Sequence, residues 1–309
     1  MTAIPETPVI GRFAPSPTGA LHSGSLVAAV ASYLMARQSG GQWLVRMDDL
    51  DTLRQIAGMA DDILRTLETF DLFWDGAVSF QSKHLQEYQH YFDELKRTGS
   101  LYPCGCSRKE IARSASAPHL DDDCIPYPGS CRGGIKSDTN IRSWRVRVPD
   151  DAICFNDLRK GQICQHLPTV CGDFALRRGD GEFAYQLAVV VDDYLTGVTQ
   201  VVRGEDLLAS TPRQIFLQRL LGFRQPEYCH VPLVTDPDGA KLSKRDHLIS
   251  HQLGSVNGQE QDLLLAVLRF LGQQPPQELV GYSCGTILEW GIAHFKPITH
   301  TVQSGTLPF

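Results

Sequence analysis

Three charged side chains follow short apolar runs in this chain: Arg12 after Val9-Ile10, Asp48 after Leu44-Val45, and Arg203 after Val201-Val202. If those runs are strands of an open α/β sheet, ligands bind beyond their carboxyl ends. Two guanidinium groups and one carboxylate suit an anionic ligand that also carries an ammonium. Each alone reads equally as a strand-end charge in solvent. Leu21-His22-Ser23-Gly24-Ser25-Leu26 opens a helical run. A helix start presents unpaired N–H groups and positive dipole charge, so it attracts phosphate, and His22 can donate to phosphate oxygens. A histidine that merely caps the helix is the plainer alternative. Lys241-Leu-Ser-Lys244-Arg245 follows a Pro-Asp-Gly turn. Lysines on such a loop can neutralise charge on a transferring phosphoryl group, or form an ordinary solvated surface. Cys104, Cys106, Cys124 and Cys131 crowd one stretch, a pattern that fits a metal site or four free thiols.

The elements that must position these groups alternate. Val9–Phe13 predicts a strand broken at Ala14-Pro-Ser-Pro-Thr-Gly19, and a helix runs from Gly24 to a cap at Gly40-Gly41. Trp43–Met47 predicts a second strand. Residues 59–71 and 83–98 predict amphipathic helices with Ile63, Leu67 and Phe70, then Tyr88, Phe92 and Leu95, on their apolar faces. This rhythm predicts a parallel sheet of nucleotide-binding, Rossmann type. It breaks over residues 99–140, which lack apolar periodicity, and alternation at Trp144, Val146 and Val148 predicts short strands of an inserted subdomain. The sheet pattern resumes at Ala184–Val191 and Val198–Val202. Ser210-Thr-Pro-Arg starts a helix that Gly222 ends, and a further apolar helix is predicted near 259–271. The expected domains are 1–98 and 184–250 as two halves of the catalytic unit, 99–183 as the insert, and 251–309 as a short helical C-terminal region.

Composition narrows the class. With 309 residues, 42% apolar and 21% charged, the chain is a globular protein with a large core. A net charge of −6 argues against coating nucleic acid through a bulk positive field, though a local basic face is compatible with it. Arg142, Arg145 and Arg147 are candidates for such a face. The first ten residues carry neither positive charge nor an apolar core, so no secretory signal is expected, and no apolar run is long enough to span a membrane. The remaining cysteines, Cys154, Cys164, Cys171, Cys229 and Cys284, are expected to be reduced thiols of a cytoplasmic protein.

Taken together, Gly11-Arg-Phe-Ala-Pro-Ser-Pro-Thr-Gly-Ala-Leu-His-Ser-Gly-Ser-Leu26 and Lys241-Leu-Ser-Lys-Arg245 resemble the two ATP-binding motifs of class I aminoacyl-tRNA synthetases. Arg46-Met-Asp-Asp-Leu-Asp51, Trp74-Asp75, Ala184-Tyr-Gln-Leu-Ala188, Val190-Val-Asp-Asp193 and Val202-Arg-Gly-Glu-Asp206 are similar to the glutamyl branch, in unchanged order from residue 9 to about 250. Only Asp246–Phe309 follow the lysine motif, where a full glutamyl-tRNA synthetase carries a helical anticodon-binding domain. The chain therefore resembles the truncated paralogues of the glutamyl-Q tRNA(Asp) synthetase family. That resemblance implies a ligase that activates glutamate with ATP and Mg2+ without tRNA and transfers it to queuosine in the anticodon of tRNA(Asp). A minimal glutamyl-tRNA synthetase charging the 3′ end is one alternative. A catalytically retired, nucleic-acid-binding paralogue is the other. A monomer is expected.

By the same resemblance, Arg12, Ala14, Ser16, Asp48, Tyr185 and Arg203 bind glutamate, with Asp48 holding the α-ammonium where the family usually has the longer glutamate. His22 and Ser25 meet the ATP phosphates, and His22, Lys241 and Lys244 are the catalytic candidates, Lys244 also binding ATP. Cys104, Cys106, Tyr127 and Cys131 match a structural zinc site, with Cys124 and His119 as rivals for the fourth ligand. Asp157, Asp173 and Asp193 are suited to support the site but receive no role from the sequence.

Overall fold

The computed structural model describes residues 8–107, 109–111, 126–136, 139–236 and 258–307. Lys241, Lys244, Cys124 and His119 lie outside them. A seven-stranded sheet with order β3-β2-β1-β9-β10-β6-β7 organises the chain. Its strands are β1 (Ile10–Phe13), β2 (Gln42–Met47), β3 (Ser79–Phe80), β6 (Ala152–Asp157), β7 (Gly161–His166), β9 (Gln200–Gly204) and β10 (Glu227–Val231). All pair in parallel except β7, which returns antiparallel to β6. A separate antiparallel sheet, β4-β5-β8 (Leu101–Cys104, Ser143–Val146, Ala175–Arg178), belongs to the inserted region.

Helices cover both faces of the large sheet. Alternate strand residues divide between them: Val202, Cys229 and Val231 join one core cluster, and Val201 and Tyr228 the other, as the two-residue period of a strand requires. The first face carries α1 (Ser23–Gln38), α2 (Met59–Thr69), α7 (Glu260–Phe270) and α8 (Cys284–His294). The second carries α3 (Leu85–Arg97), α5 (Tyr185–Leu195) and α6 (Thr211–Leu221), with the short α4 (Leu167–Val170) beside them. Helix α1 sits so close to β1 that a Cβ at Gly11 would stand 3.1 Å from the Ala36 methyl. Its buried residues run almost all round it, because α8 packs against its far side, where a Cβ on Gly291 would meet Leu34 at 3.0 Å.

Three expectations need correction. Ala184–Val191 is not a strand: Tyr185–Leu195 is helix α5, buried from Gln186 to Asp193. A helix enclosed on every side reads as a continuous apolar run, which periodicity cannot tell from a buried strand. Arg12 and Arg203 lie within β1 and β9 rather than beyond them. Cys154 and Cys164 are not free thiols. They are register partners across β6 and β7, with Cα atoms 4.1 Å apart, and form a disulfide. The hairpin that carries them also joins the main sheet through β6 and β10, so part of the stretch expected to be an insert widens that sheet. Towards the chain's end, Gly305 bridges Val234, and the Ser304 hydroxyl accepts from the Leu233 N–H at 2.8 Å. This holds the segment that leads out of β10.

Candidate functional site

Strand order reverses at β1: the chain proceeds to β2 on one side, while β9 pairs on the other. A crevice opens at such a switch point beyond the carboxyl ends of the strands. Here it is a cavity of about 220 Å³. Arg12, Ala14 and Ser16 enter it from β1 and the proline-rich turn, His22 and Ser25 from the start of α1, Tyr185 from the start of α5, and Arg203 from β9. Residues nearly two hundred positions apart thus share one wall. Asp48, which follows β2, lies instead in an adjoining cavity of about 320 Å³ that shares Ser16 and Tyr185 with the first.

Both cavity arginines are oriented from behind. The Arg12 Nε donates to the Asp193 carboxylate at 3.2 Å, and its terminal nitrogens have no partner among the described residues. Asp193 also accepts from Arg46 Nη1 at 2.6 Å, and Arg46 Nε donates to Asp48 at 2.7 Å. Asp192 lies 3.6 Å from Arg46 Nε and accepts from Gln81 and Tyr88, each at 2.8 Å. This buried chain of two cations and three carboxylates fixes the guanidinium planes. Burial would raise the Asp193 carboxyl, but Arg12 and Arg46 outweigh it and hold it below the usual range. Burial prevails at Asp48, which Arg46 only partly offsets, and its pKa is pushed up to about 6.

Arg203 is held by a second relay. Across the β9–β10 ladder it faces His230. Arg203 Nε points to His230 Nε2 at 3.2 Å, and Nη2 donates to the Thr211 hydroxyl at 2.8 Å. His230 Nδ1 meets Asp157 at 2.7 Å. Asp157 therefore places the imidazole proton on Nδ1 and leaves Nε2 as an acceptor, the arrangement Arg203 requires. Burial, reinforced by the Arg203 charge, keeps the His230 pKa below its ordinary value despite Asp157. Arg203 Nη1 is buried without a partner among the described residues, which leaves it a donor that a ligand oxygen can satisfy.

At the α1 start, His22 is the N-cap, and its Nδ1 accepts from the Ser25 N–H at 3.3 Å. The neutral ring then carries its proton on Nε2. Gly24 allows this fold-back, since a Cβ there would stand 3.1 Å from His22 Cε1. The inserted region holds a different cluster. The sulfurs of Cys104, Cys106 and Cys131 lie within 4.8 Å of one another, and the Tyr127 hydroxyl is 3.4 Å from Cys104 Sγ and 3.7 Å from Cys106 Sγ. Burial opposes ionisation of Cys104, but hydrogen bonds headed by Tyr127 outweigh it and bring its pKa down to about 7. Arg145, a candidate for an RNA-facing charge, instead stacks its guanidinium 4.0 Å from the Tyr127 ring and bonds the Asp173 carbonyl. Arg142 and Arg147 are exposed.

Sequence reasoning missed Arg46 and His230. Arg46 sits in a quoted motif, but nothing marked its contacts. Asp157, Asp173 and Asp193 now have identified contacts: Asp157 orders His230, Asp193 orders Arg12, and Asp173 ties Tyr102 and Arg132 beside the cysteine cluster.

The family model for the catalytic domain of class I tRNA synthetases (E and Q) matches residues 8–279. A glutamyl-Q tRNA(Asp) synthetase of Geobacter sulfurreducens is 58% identical over 99% of this chain and 97% of its own length. The chain belongs to the glutamyl-Q tRNA(Asp) synthetase family. A relative of the same name from Dechloromonas aromatica is 52% identical over 94% of this chain and 95% of its own. Among solved structures, the glutamate-tRNA synthetase of Elizabethkingia anophelis superposes with a TM-score of 0.80 at 25% identity, covering 97% of this chain and 68% of that one. A glutamate tRNA ligase from Elizabethkingia meningosepticum, at 24% identity and a TM-score of 0.79 over 97% of this chain and 67% of its own, shares the fold. The parallel α/β architecture expected from the sequence is therefore that of the class I synthetases. No described helix is long and apolar enough to cross a membrane.

Proposed function

We propose that this chain joins glutamate to ATP's adenylate without tRNA and passes the glutamyl group to queuosine in the anticodon of tRNA(Asp), in the cytoplasm. The observation that carries this reading is the convergence of Arg12, Ser16, His22, Tyr185 and Arg203 on one cavity at the switch point, in a chain with glutamyl-Q relatives along nearly its whole length.

The side-chain carboxylate of glutamate is taken by Arg12's terminal nitrogens and the unpaired Arg203 Nη1, with Tyr185 beside them. Guanidinium suits this task because its fork matches a carboxylate. Asp48 receives the α-ammonium from the adjoining cavity. The α-carboxylate oxygen then attacks the α-phosphorus of ATP, and pyrophosphate departs. His22 Nε2–H, Ser25 and the first N–H groups of α1 meet the phosphates. Lys241 and Lys244 offset the charge that builds on the leaving group, and a Mg2+ bound with ATP would supply further charge stabilisation there.

One structural zinc fits the cysteine cluster. Tetrahedral zinc with bonds near 2.3 Å spaces its sulfurs by about 3.8 Å, and Cys106 and Cys131 sulfurs stand 3.5 Å apart. Cys104, Cys106, Cys131 and the Tyr127 hydroxyl would close the sphere, tying β4 to the segment around Tyr127 and leaving no open position for chemistry.

Pyrophosphate exchange tests the activation half. Exchange should require glutamate and ATP but not tRNA, and Lys244→Ala should abolish it while calorimetry still detects glutamate binding. Undiminished exchange in K244A would contradict the assigned role.

A further inference from the structure

We infer that the second cavity, the one entered by Asp48, is the acceptor site that admits the hydroxylated cyclopentene ring of queuosine, with its protonated linking amine, to the activated glutamate. This rests on the reading above and names where its second substrate enters. Transfer needs a space that opens onto the glutamyl carbonyl and is not filled by ATP. The first cavity runs from Arg12 to the phosphate-facing start of α1. The adjoining cavity of about 320 Å³ lies on the Asp48 side and shares Ser16 and Tyr185 with it. In an amino acid the nitrogen and the carbonyl carbon flank one Cα, so they lie about 2.5 Å apart. The space that receives the ammonium is therefore two bonds from the electrophile.

Its lining suits that guest. Glu182, half-buried, lines the cavity, and its carboxylate has no partner among the described residues. Asp51 adds a second, bonded to Arg54 at 2.5 Å on the exposed side. Carboxylates match both the ring's hydroxyl donors and the protonated amine that links it to the base. Arg54 and Arg178 also line this cavity, and are 71% and 56% exposed, where RNA phosphates would meet them. Leu53, 90% exposed beside Arg54, gives a flanking base an apolar surface. In the transfer, a ring hydroxyl oxygen bonds to the glutamyl carbonyl carbon and the carbonyl–phosphate bond breaks. The hydroxyl proton leaves with AMP, whose phosphate accepts it.

The test compares two rates in each variant: tRNA-independent pyrophosphate exchange, and transfer of labelled glutamate to queuosine-containing tRNA(Asp). Glu182→Gln and Asp51→Asn should exchange within about twofold of wild type, and transfer should fall about tenfold or more for Glu182→Gln, the size of one charged hydrogen bond. Glu182→Arg should transfer more slowly still. Retained exchange shows that each variant folds. Transfer at the wild-type rate in all three would overturn the acceptor site. So would exchange and transfer falling together, because Glu182 would then serve activation. If the wild-type protein exchanges but labels no queuosine-containing tRNA, the functional reading itself fails.

Discussion

Replacing His230 with asparagine or glutamine separates its two hydrogen-bonding edges. His230 is fully buried, bonded through Nδ1 to Asp157 at 2.7 Å and through Nε2 to Arg203 Nε at 3.2 Å. Asparagine keeps a donor near Nδ1 but removes the acceptor at Nε2; glutamine can place its carbonyl near the lost Nε2. His230→Asn therefore strands a buried guanidinium N–H. A hydrogen bond to a charged group contributes about 1.5–3 kcal/mol, which at ~1.4 kcal/mol per decade is roughly a ten- to hundredfold loss of glutamate affinity. In pyrophosphate exchange, the KM for glutamate should rise by that factor in H230N, with the KM for ATP unchanged within about twofold and kcat little affected. H230Q should recover most of the loss. Protonating His230 turns Nε2 into a donor against Arg203, and burial makes the folded protein bind that proton more weakly than the unfolded chain. The linked stability thus falls as pH drops below about 6.5. Wild-type glutamate affinity should fall at acid pH through this route, whereas H230Q lacks this source of pH dependence. Equal KM values for glutamate in H230N, H230Q and wild type would refute the relay.

Two further outcomes follow from the site. Asp48 must be ionised to hold an ammonium, and its pKa is pushed up to about 6, so glutamate affinity should fall towards tenfold per pH unit below that value, with a proton released on binding near pH 6. Stability runs the other way. The unfolded carboxyl ionises first, so this group's contribution is present below about pH 4 and lost as pH rises through 6. A glutamate affinity flat between pH 5 and 7 would contradict the assignment. In the insert, the purified protein should analyse with one zinc per chain, and Cys131→Ser should lose the metal and lower the melting temperature; Tyr127→Phe should weaken zinc retention more mildly. Stoichiometric zinc in C131S would count against this ligand set.

Local signals carried much of the fold. The proline break after β1, the His22 cap and the Gly222 terminus (φ 69°) all fall where turn and cap chemistry place them. Helix α5 did not, because enclosure by both sheet and neighbouring helices erased its polar face. Helix α8 was also passed over. The arginines that face the ligand cavity were legible because they sit in motifs. Their partners were not: Asp157 and His230 are 73 residues apart and Arg12 and Asp193 are 181 apart, and only sheet register and helix packing bring them together. The Cys154–Cys164 bond was hidden for the same reason, since strand register alone sets the two residues opposite each other.

The most direct measurement offers the protein ATP and labelled glutamate with two forms of tRNA(Asp), one carrying queuosine and one carrying unmodified guanosine at that position, and locates the label after nuclease digestion. The account predicts label on the queuosine nucleoside alone, with the unmodified tRNA blank. Label on the 3′-terminal adenosine, or on neither form while pyrophosphate exchange proceeds, would contradict it.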